Sequence, residues 1–151
     1  YVGELKISED TGWGEKTGMG VTLFDDYTIQ VGSYNNGHYD GKGITVWPNG
    51  DIWIGEIKKD KKNGRGDYIF QDGEWQSGMW KDNKKHGKGT RKKNGDTYTG
   101  EWENDLAHGY GVLTFADGRR WEGTWKKGHM VGEGTFSMNL KTSSIPKLPS
   151  I

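Results

Sequence analysis

Gly12-Trp13-Gly14-Glu15-Lys16-Thr17-Gly18 is the stretch of this 151-residue chain closest in composition to a phosphate-binding loop. Such a loop needs Gly-Lys-Ser/Thr at the head of a helix that follows a strand. Here Glu15 separates Gly14 from Lys16 and no helical periodicity follows, so the stretch reads as a surface loop. The four His are the next candidates: His86 and His108 hold one place in a repeating pattern, His38 and His129 another. Equivalent residues on successive hairpins stand two strand spacings apart, about 9–10 Å. Metal ligands lie about 2 Å from their ion, so such a pair cannot share one. The same geometry counts against a catalytic carboxylate pair drawn from Glu56, Glu101 and Glu122. With no Cys, thiolate sites and disulfides are also excluded. The reading assigns no catalytic residue, no metal and no cofactor, and expects a protein that is not an enzyme.

The elements that carry these residues repeat. The Gly of a Tyr-x-Gly-x-Trp element falls at Gly3, Gly32, Gly55, Gly78, Gly100 and Gly123, spaced by 29, 23, 23, 22 and 23 residues. A Gly-x-Gly pair follows each time, at Gly18/Gly20, Gly41/Gly43, Gly64/Gly66, Gly87/Gly89, Gly109/Gly111 and Gly132/Gly134. A fixed period of this size marks a repeat architecture. Each copy holds two alternations of period two, the strand signal. Pro48-Asn49-Gly50, Gln71-Asp72-Gly73 and Ala116-Asp117-Gly118 fit three-residue hairpin loops, with Gly at the left-handed position. The other connection, such as Glu103–His108, reads as a longer polar loop.

Pairing Trp47 with Asp51 puts Gly43 opposite Gly55, and pairing Phe115 with Arg119 puts Gly111 opposite Gly123. Across the longer loops, pairing Trp80 with Gly87 and Trp102 with Gly109 puts Gly78 opposite Gly89 and Gly100 opposite Gly111. A glycine lane therefore crosses the sheet through Gly55, Gly66, Gly78, Gly89, Gly100, Gly111 and Gly123, which act as shape determinants. Beside it, Tyr34, Ile57, Trp80, Trp102 and Trp125 alternate with Gly41, Gly64, Gly87, Gly109 and Gly132. A third lane holds Trp53, Tyr68, Tyr98, Leu113, Trp121 and Phe136. The expected surface is a trough with a glycine floor and aromatic walls.

Composition agrees with an aromatic-faced sheet. Gly supplies 26 residues and Trp eight, while hydrophobic residues reach only 30%. Lys+Arg and Asp+Glu balance at 21 each, so no global charge points to nucleic acid. No apolar run approaches the roughly 20 residues of a membrane-spanning helix. The fold class is all-β: an elongated, twisted, single-layer antiparallel meander of six hairpins. The array covers 1–138, with copies at about 1–27, 28–50, 51–73, 74–95, 96–118 and 119–138. Residues 139–151, with Pro146 and Pro149, read as an extended tail. Lys6–Thr17 is an enlarged loop in the first copy. The fourth copy is one residue short, which predicts a bulge or register slip near Arg91–Lys93. The chain begins at Tyr1, inside a motif, and is expected to belong to a longer protein.

The motifs resemble the MORN-repeat family (membrane occupation and recognition nexus), best through Tyr98-Thr-Gly100-Glu-Trp102 and Trp121-Glu-Gly123-Thr-Trp125. The chain departs from that pattern at Gln30 and Gln76 in place of the leading Tyr, at Leu5 and Ile57 in place of Trp, and at Lys92 or Lys93 in place of an aromatic. The resemblance implies a scaffold for protein partners, or contact with phospholipid membranes, and does not imply catalysis.

Trp and Tyr are enriched in binding hot spots. An exposed apolar strip on a single-layer sheet is itself an interaction signal. Trp53, Trp80, Tyr98, Trp102, Phe115, Trp121 and Trp125 are thus the expected contact surface for a partner's helix or extended peptide. The second candidate is a basic patch of Lys58, Lys61, Lys62, Lys81, Lys84, Lys85, Lys88, Arg91, Lys92 and Lys93. It would attract anionic lipid, phosphoinositides included, at about 1 kcal/mol per basic residue near the surface, as would suit the targeting domain of a larger enzyme. Terminal strands offer strand addition or homodimerisation. The expected location is intracellular: cytoplasmic, cytoskeletal or peripheral to a membrane.

Overall fold

In the computed structural model, which describes residues 17–138, the chain forms one open sheet whose strand order is the chain order. The strands are β1 (Gly18–Leu23), β2 (Ile29–Asn35), β3 (His38–Val46), β4 (Ile52–Lys58), β5 (Lys61–Ile69) and β6 (Trp75–Lys81). They continue as β7 (Lys84–Lys93), β8 (Asp96–Glu103), β9 (Leu106–Thr114), β10 (Arg119–Lys126) and β11 (His129–Met138). Every neighbouring pair is antiparallel, and the described residues hold no helix. The enlarged loop at 6–17 lies almost wholly outside the described residues, as does the tail at 139–151.

The glycine register is as the spacing requires: Gly43 faces Gly55, Gly66 faces Gly78, Gly89 faces Gly100 and Gly111 faces Gly123. The three-residue loops also form as read. Gly50, Gly73 and Gly118 donate N–H to the carbonyls of Trp47, Phe70 and Phe115. In each loop the Asn or Asp side chain accepts an N–H two residues on.

The connections taken for longer loops are tight two-residue turns. Lys59-Asp60, Asp82-Asn83 and Asn104-Asp105 all have positive φ at both positions, as do Asn36-Gly37 and Lys127-Gly128. This is the mirror-image turn whose twist suits a hairpin. The residues left over are absorbed as a bulge. Beyond Gly100–Gly111, Glu101 pairs with His108 and Trp102 with Ala107, so Gly109 and Tyr110 are extra on β9. The expected pairing of Trp102 with Gly109 occurs on the other flank instead, where Gly109 faces Trp125. A bulge recurs between β2 and β3, β4 and β5, β6 and β7, and β10 and β11. Bulges bend the strand that carries them.

The short fourth copy contains no slip of its own. β7 and β8 pair without a break from Gly87–Trp102 to Lys93–Asp96, and the missing residue shortens the loop to Asn94-Gly95.

Both edges of the sheet clip one copy to the next. Asp60, Asn83 and Asp105 each accept the backbone N–H of Tyr39, Lys62 and Lys85, and return their own N–H to the same residue's carbonyl. On the opposite edge Asp51, Glu74 and Asp96 accept the N–H of Gln71, Asn94 and Ala116 in the following loop. Charge-assisted bonds of this type are among the stronger ones.

Candidate functional site

Paired residues in an antiparallel sheet share a face, so the register sorts the candidates. Trp53, Trp80, Tyr98, Trp102, Trp121 and Trp125 all project from the same face as the glycine lane. They do not stand as walls around an open floor. The Trp53 ring lies flat over Gly55 and Gly66, where a Cβ would collide with it. Tyr98 covers Gly100 and Gly111, and Trp121 covers Gly123 and Gly134, in the same way.

The rings then cover one another edge to face. Tyr98 lies 5.0 Å from Trp102 and 4.9 Å from Trp125, and Trp53 lies 5.0 Å from Trp80. Such contacts are worth about 0.5–1.5 kcal/mol beyond area burial. Trp53 is 0% exposed, and Trp80, Tyr98, Trp102 and Trp125 are 5–7% exposed. Phe115 and Trp121 are half-buried. This face is the protein's own core, not an open contact surface. The single layer buries it because rings from adjacent strands substitute for a second layer.

The first glycine of each Gly-x-Gly pair has a different task from the one expected. Gly64 and Gly109 turn away from the rings, toward the Glu56 and Glu101 carboxylates, with φ of +102° and +65°. They are bulge residues in the left-handed region. Only the second glycine makes room for a ring.

One position was missed. Two residues before the last five of these pairs stand Tyr39, Lys62, Lys85, Ala107 and Met130. Where the leading position is Gln rather than an aromatic ring, this residue fills the floor. Tyr39, on the strand after Gln30, lies over Gly32 and Gly43 and places its hydroxyl near the carbonyls of Val31 and Ile44. Lys85, on the strand after Gln76, lies against Gly89 and donates to the carbonyls of Ser77 and Thr90. Lys85 is 1% exposed, with its ammonium 4.1 Å from the Trp102 ring centre. Burial, with Arg91 nearby, pushes it down to about 7. The pairing of Gln with a long residue nine positions later was the available signal.

The basic residues therefore form no single patch. Lys62 and Lys85, opposite Ile57 and Trp80, face the rings, and Arg91 shares that face between Gln76 and Tyr98. Lys88 and Lys92 point to the opposite side, Lys88 lining its groove. Lys58 faces Lys61 and Lys81 faces Lys84 beside the tight turns, all exposed. Lys93 is also exposed, at the last β7–β8 pair.

The histidines are similarly dispersed. His38 contacts Asp60 at 2.5 Å and His108 lies 3.4 Å from Glu103. Among the described residues no group of three or more His, Asp or Glu could hold a metal.

The open surface is the opposite face. Val31, Ile44, Ile54, Asp67, Ser77, Thr90, Thr99, Val112 and Glu122 run across it in one register lane. Beside that lane the glycine backbone leaves a depression. One part, of about 470 Å³, lies among Met19, Val31, Ile44, Ile54 and Arg65. A second, of about 540 Å³, lies among Arg65, Met79, Lys88, Thr90, Glu101 and Tyr110. Met19, Ile44, Ile54, Met79 and Tyr110 are 40–68% exposed.

An open antiparallel meander of clipped hairpins, ring-packed on one face and grooved on the other, defines a β-hairpin repeat protein. The MORN-repeat profile matches residues 31–52, 53–75, 77–97, 98–119 and 121–138. The chain belongs to the MORN-repeat family. The matched segments number five, one fewer than the six copies expected; they begin within β2, and the copy expected at about 1–27 lies outside them. A search among curated proteins finds no match.

Proposed function

We propose that this chain is a non-catalytic scaffold that holds a segment of a protein partner in the groove of its open face. The observation that carries this reading is the apolar stretch of exposed Met19, Ile44 and Ile54 with half-buried Val31, along a floor of glycine backbone. The groove grades from these apolar residues to Ser77, Thr90 and Thr99, flanked by Arg65, Lys88 and Glu101. It suits an extended peptide with apolar side chains at one end and polar ones at the other. Peptides selected from a random library on the wild-type chain test this. Ile54→Glu should weaken them by about tenfold or more, the scale of a lost hot spot. Unchanged affinity in that variant would remove the groove from the proposal.

A second reading rests on the lysine pairs Lys58–Lys61 and Lys81–Lys84, stacked on successive turns about 10 Å apart. Like charges directly opposite one another are unfavourable in a sheet, and an anionic lipid surface would relieve them. Co-sedimentation with anionic vesicles should then fall with added salt and be abolished in Lys81→Glu/Lys84→Glu. Absence of sedimentation at low salt would remove this reading.

A further inference from the structure

The ring face is divided into two clusters that do not meet over β6 and β7. Gln76 pairs there with Arg91, where the flanking copies pair Trp53 with Tyr68 and Tyr98 with Leu113. A cleft of about 290 Å³ opens at this break, with Tyr68, Phe70 and Trp80 as its apolar lining and Lys62, Arg91 and Asp105 as its charged lining. Ligand pockets usually span about 300–1,000 Å³, so this one suits a single side chain or small anion rather than a cofactor.

The charges in the cleft are unbalanced. Lys62 Nζ lies 4.4 Å from the Tyr68 ring centre and 5.1 Å from that of Trp80, with rings behind it and no hydrogen-bond acceptor among the described residues. Arg91 Nε is buried and has no partner. An unsatisfied buried donor costs about 1–3 kcal/mol, and more when charged. The carboxylate in the lining, Asp105, accepts the Lys85 N–H through one oxygen, and its charge and that of Asp51 attract Lys62 without a hydrogen bond. Lys85 sits out of reach of solvent and commits its own protons to two carbonyls.

Lys62 and Arg91, neither with a hydrogen-bond acceptor of its own, match a phosphate monoester, whose three oxygens can accept from an Arg fork and from Lys62 at once. A carboxylate held bidentately by Arg91 has no further oxygen for Lys62. The three rings call for an aromatic body behind the anion, which a lipid headgroup does not offer. We propose that this cleft binds a phosphate monoester carried on an aromatic ring, the class that includes phosphotyrosine, with Arg91 and Lys62 holding the phosphate. The site lies on the face opposite the peptide groove and stands or falls separately from it.

The test is a titration of the isotope-labelled chain with a phosphotyrosine peptide, its unphosphorylated form and its Glu-substituted form, read at the Arg91 Nε and Trp80 indole signals. The phosphopeptide should shift both signals saturably. Arg91→Gln should weaken it by about tenfold or more, whereas Lys88→Gln, on the other face, should change it by about twofold at most. Equal binding of the Glu peptide, or equal losses in the two variants, overturns the assignment. Shifts produced by anionic vesicles and not by the phosphopeptide replace it with a membrane site. If Arg91→Gln loses its cooperative melt, phenyl phosphate competition on the wild-type chain decides: displacement of the phosphopeptide supports the site, and no displacement overturns it.

Discussion

β4–β5 and β6–β7 are built on the same glycine floor and fill it with opposite chemistry. In the first, Trp53 lies over Gly55 and Gly66 and is completely buried. In the second, Gln76 stands where Trp53 would, and Lys85 reaches in from the next strand. Tyr39 does the same after Gln30, while Ala107 and Met130 follow the ring-bearing Tyr98 and Trp121. The repeat conserves an occupied floor rather than a particular residue. Two positions share the task, and the long side chain appears where the ring is missing. Lys62 shows the remaining case. Trp53 already covers the floor, so its ammonium is lifted onto the rings of Trp53, Tyr68 and Trp80.

The comparison breaks most severely at the floor itself. Gly66→Val should abolish cooperative folding, because its side chain would enter the space of the Trp53 ring. A normal thermal melt in that variant would show that the ring can leave the floor without consequence. Trp53→Ala should come next, costing about 3–5 kcal/mol in chemical denaturation, the range for a large buried aromatic. A loss below about 1 kcal/mol would mean that neighbouring rings collapse into the gap.

The smallest effect separates the two fillings by pH. Lys85 titrates near 7 in the folded chain, against an ordinary 10.5. Between those values the unfolded chain holds a proton that the folded chain lacks, so stability rises with pH. Below about 7 both forms are protonated and the cost is constant. Arg91 pushes this value down and Asp105 opposes it. Melting temperature should increase from pH 6.5 to 9.5, and Lys85→Tyr, which copies the Gln30–Tyr39 filling, should flatten the rise. Burial lowers Lys62 as well, so a shallow slope should persist in that variant. An unchanged slope in Lys85→Tyr would contradict the comparison.

The comparison also shows where sequence reasoning succeeds. Gly43 opposite Gly55 and Gly111 opposite Gly123 follow from spacing alone, because period two and the loop length leave one register. The tight turns were harder to see. Lys59-Asp60 and Asp82-Asn83 carry no Gly, and a Lys at φ of 47° is not an ordinary turn residue. What holds it there is a neighbour: the Asp60 carboxylate and N–H both bond Tyr39 of the previous copy. The contact reading of Trp53 and Trp102 failed for a related reason. Alternation says which face a ring leaves from, but not whether it stands up or lies across the next strand.

The sequence by itself determined the repeat, its period, the strand pairing and the lane of glycines, since each is a local consequence of alternation and turn chemistry. Only the tertiary structure decided which face is open. That choice depends on bulges bending the sheet and on rings, Tyr39 or Lys85 competing for one floor from adjacent strands. The space that rings of neighbouring copies share is not written in any single copy. For that reason the aromatic surface became the core, and the glycine backbone on its reverse became the groove.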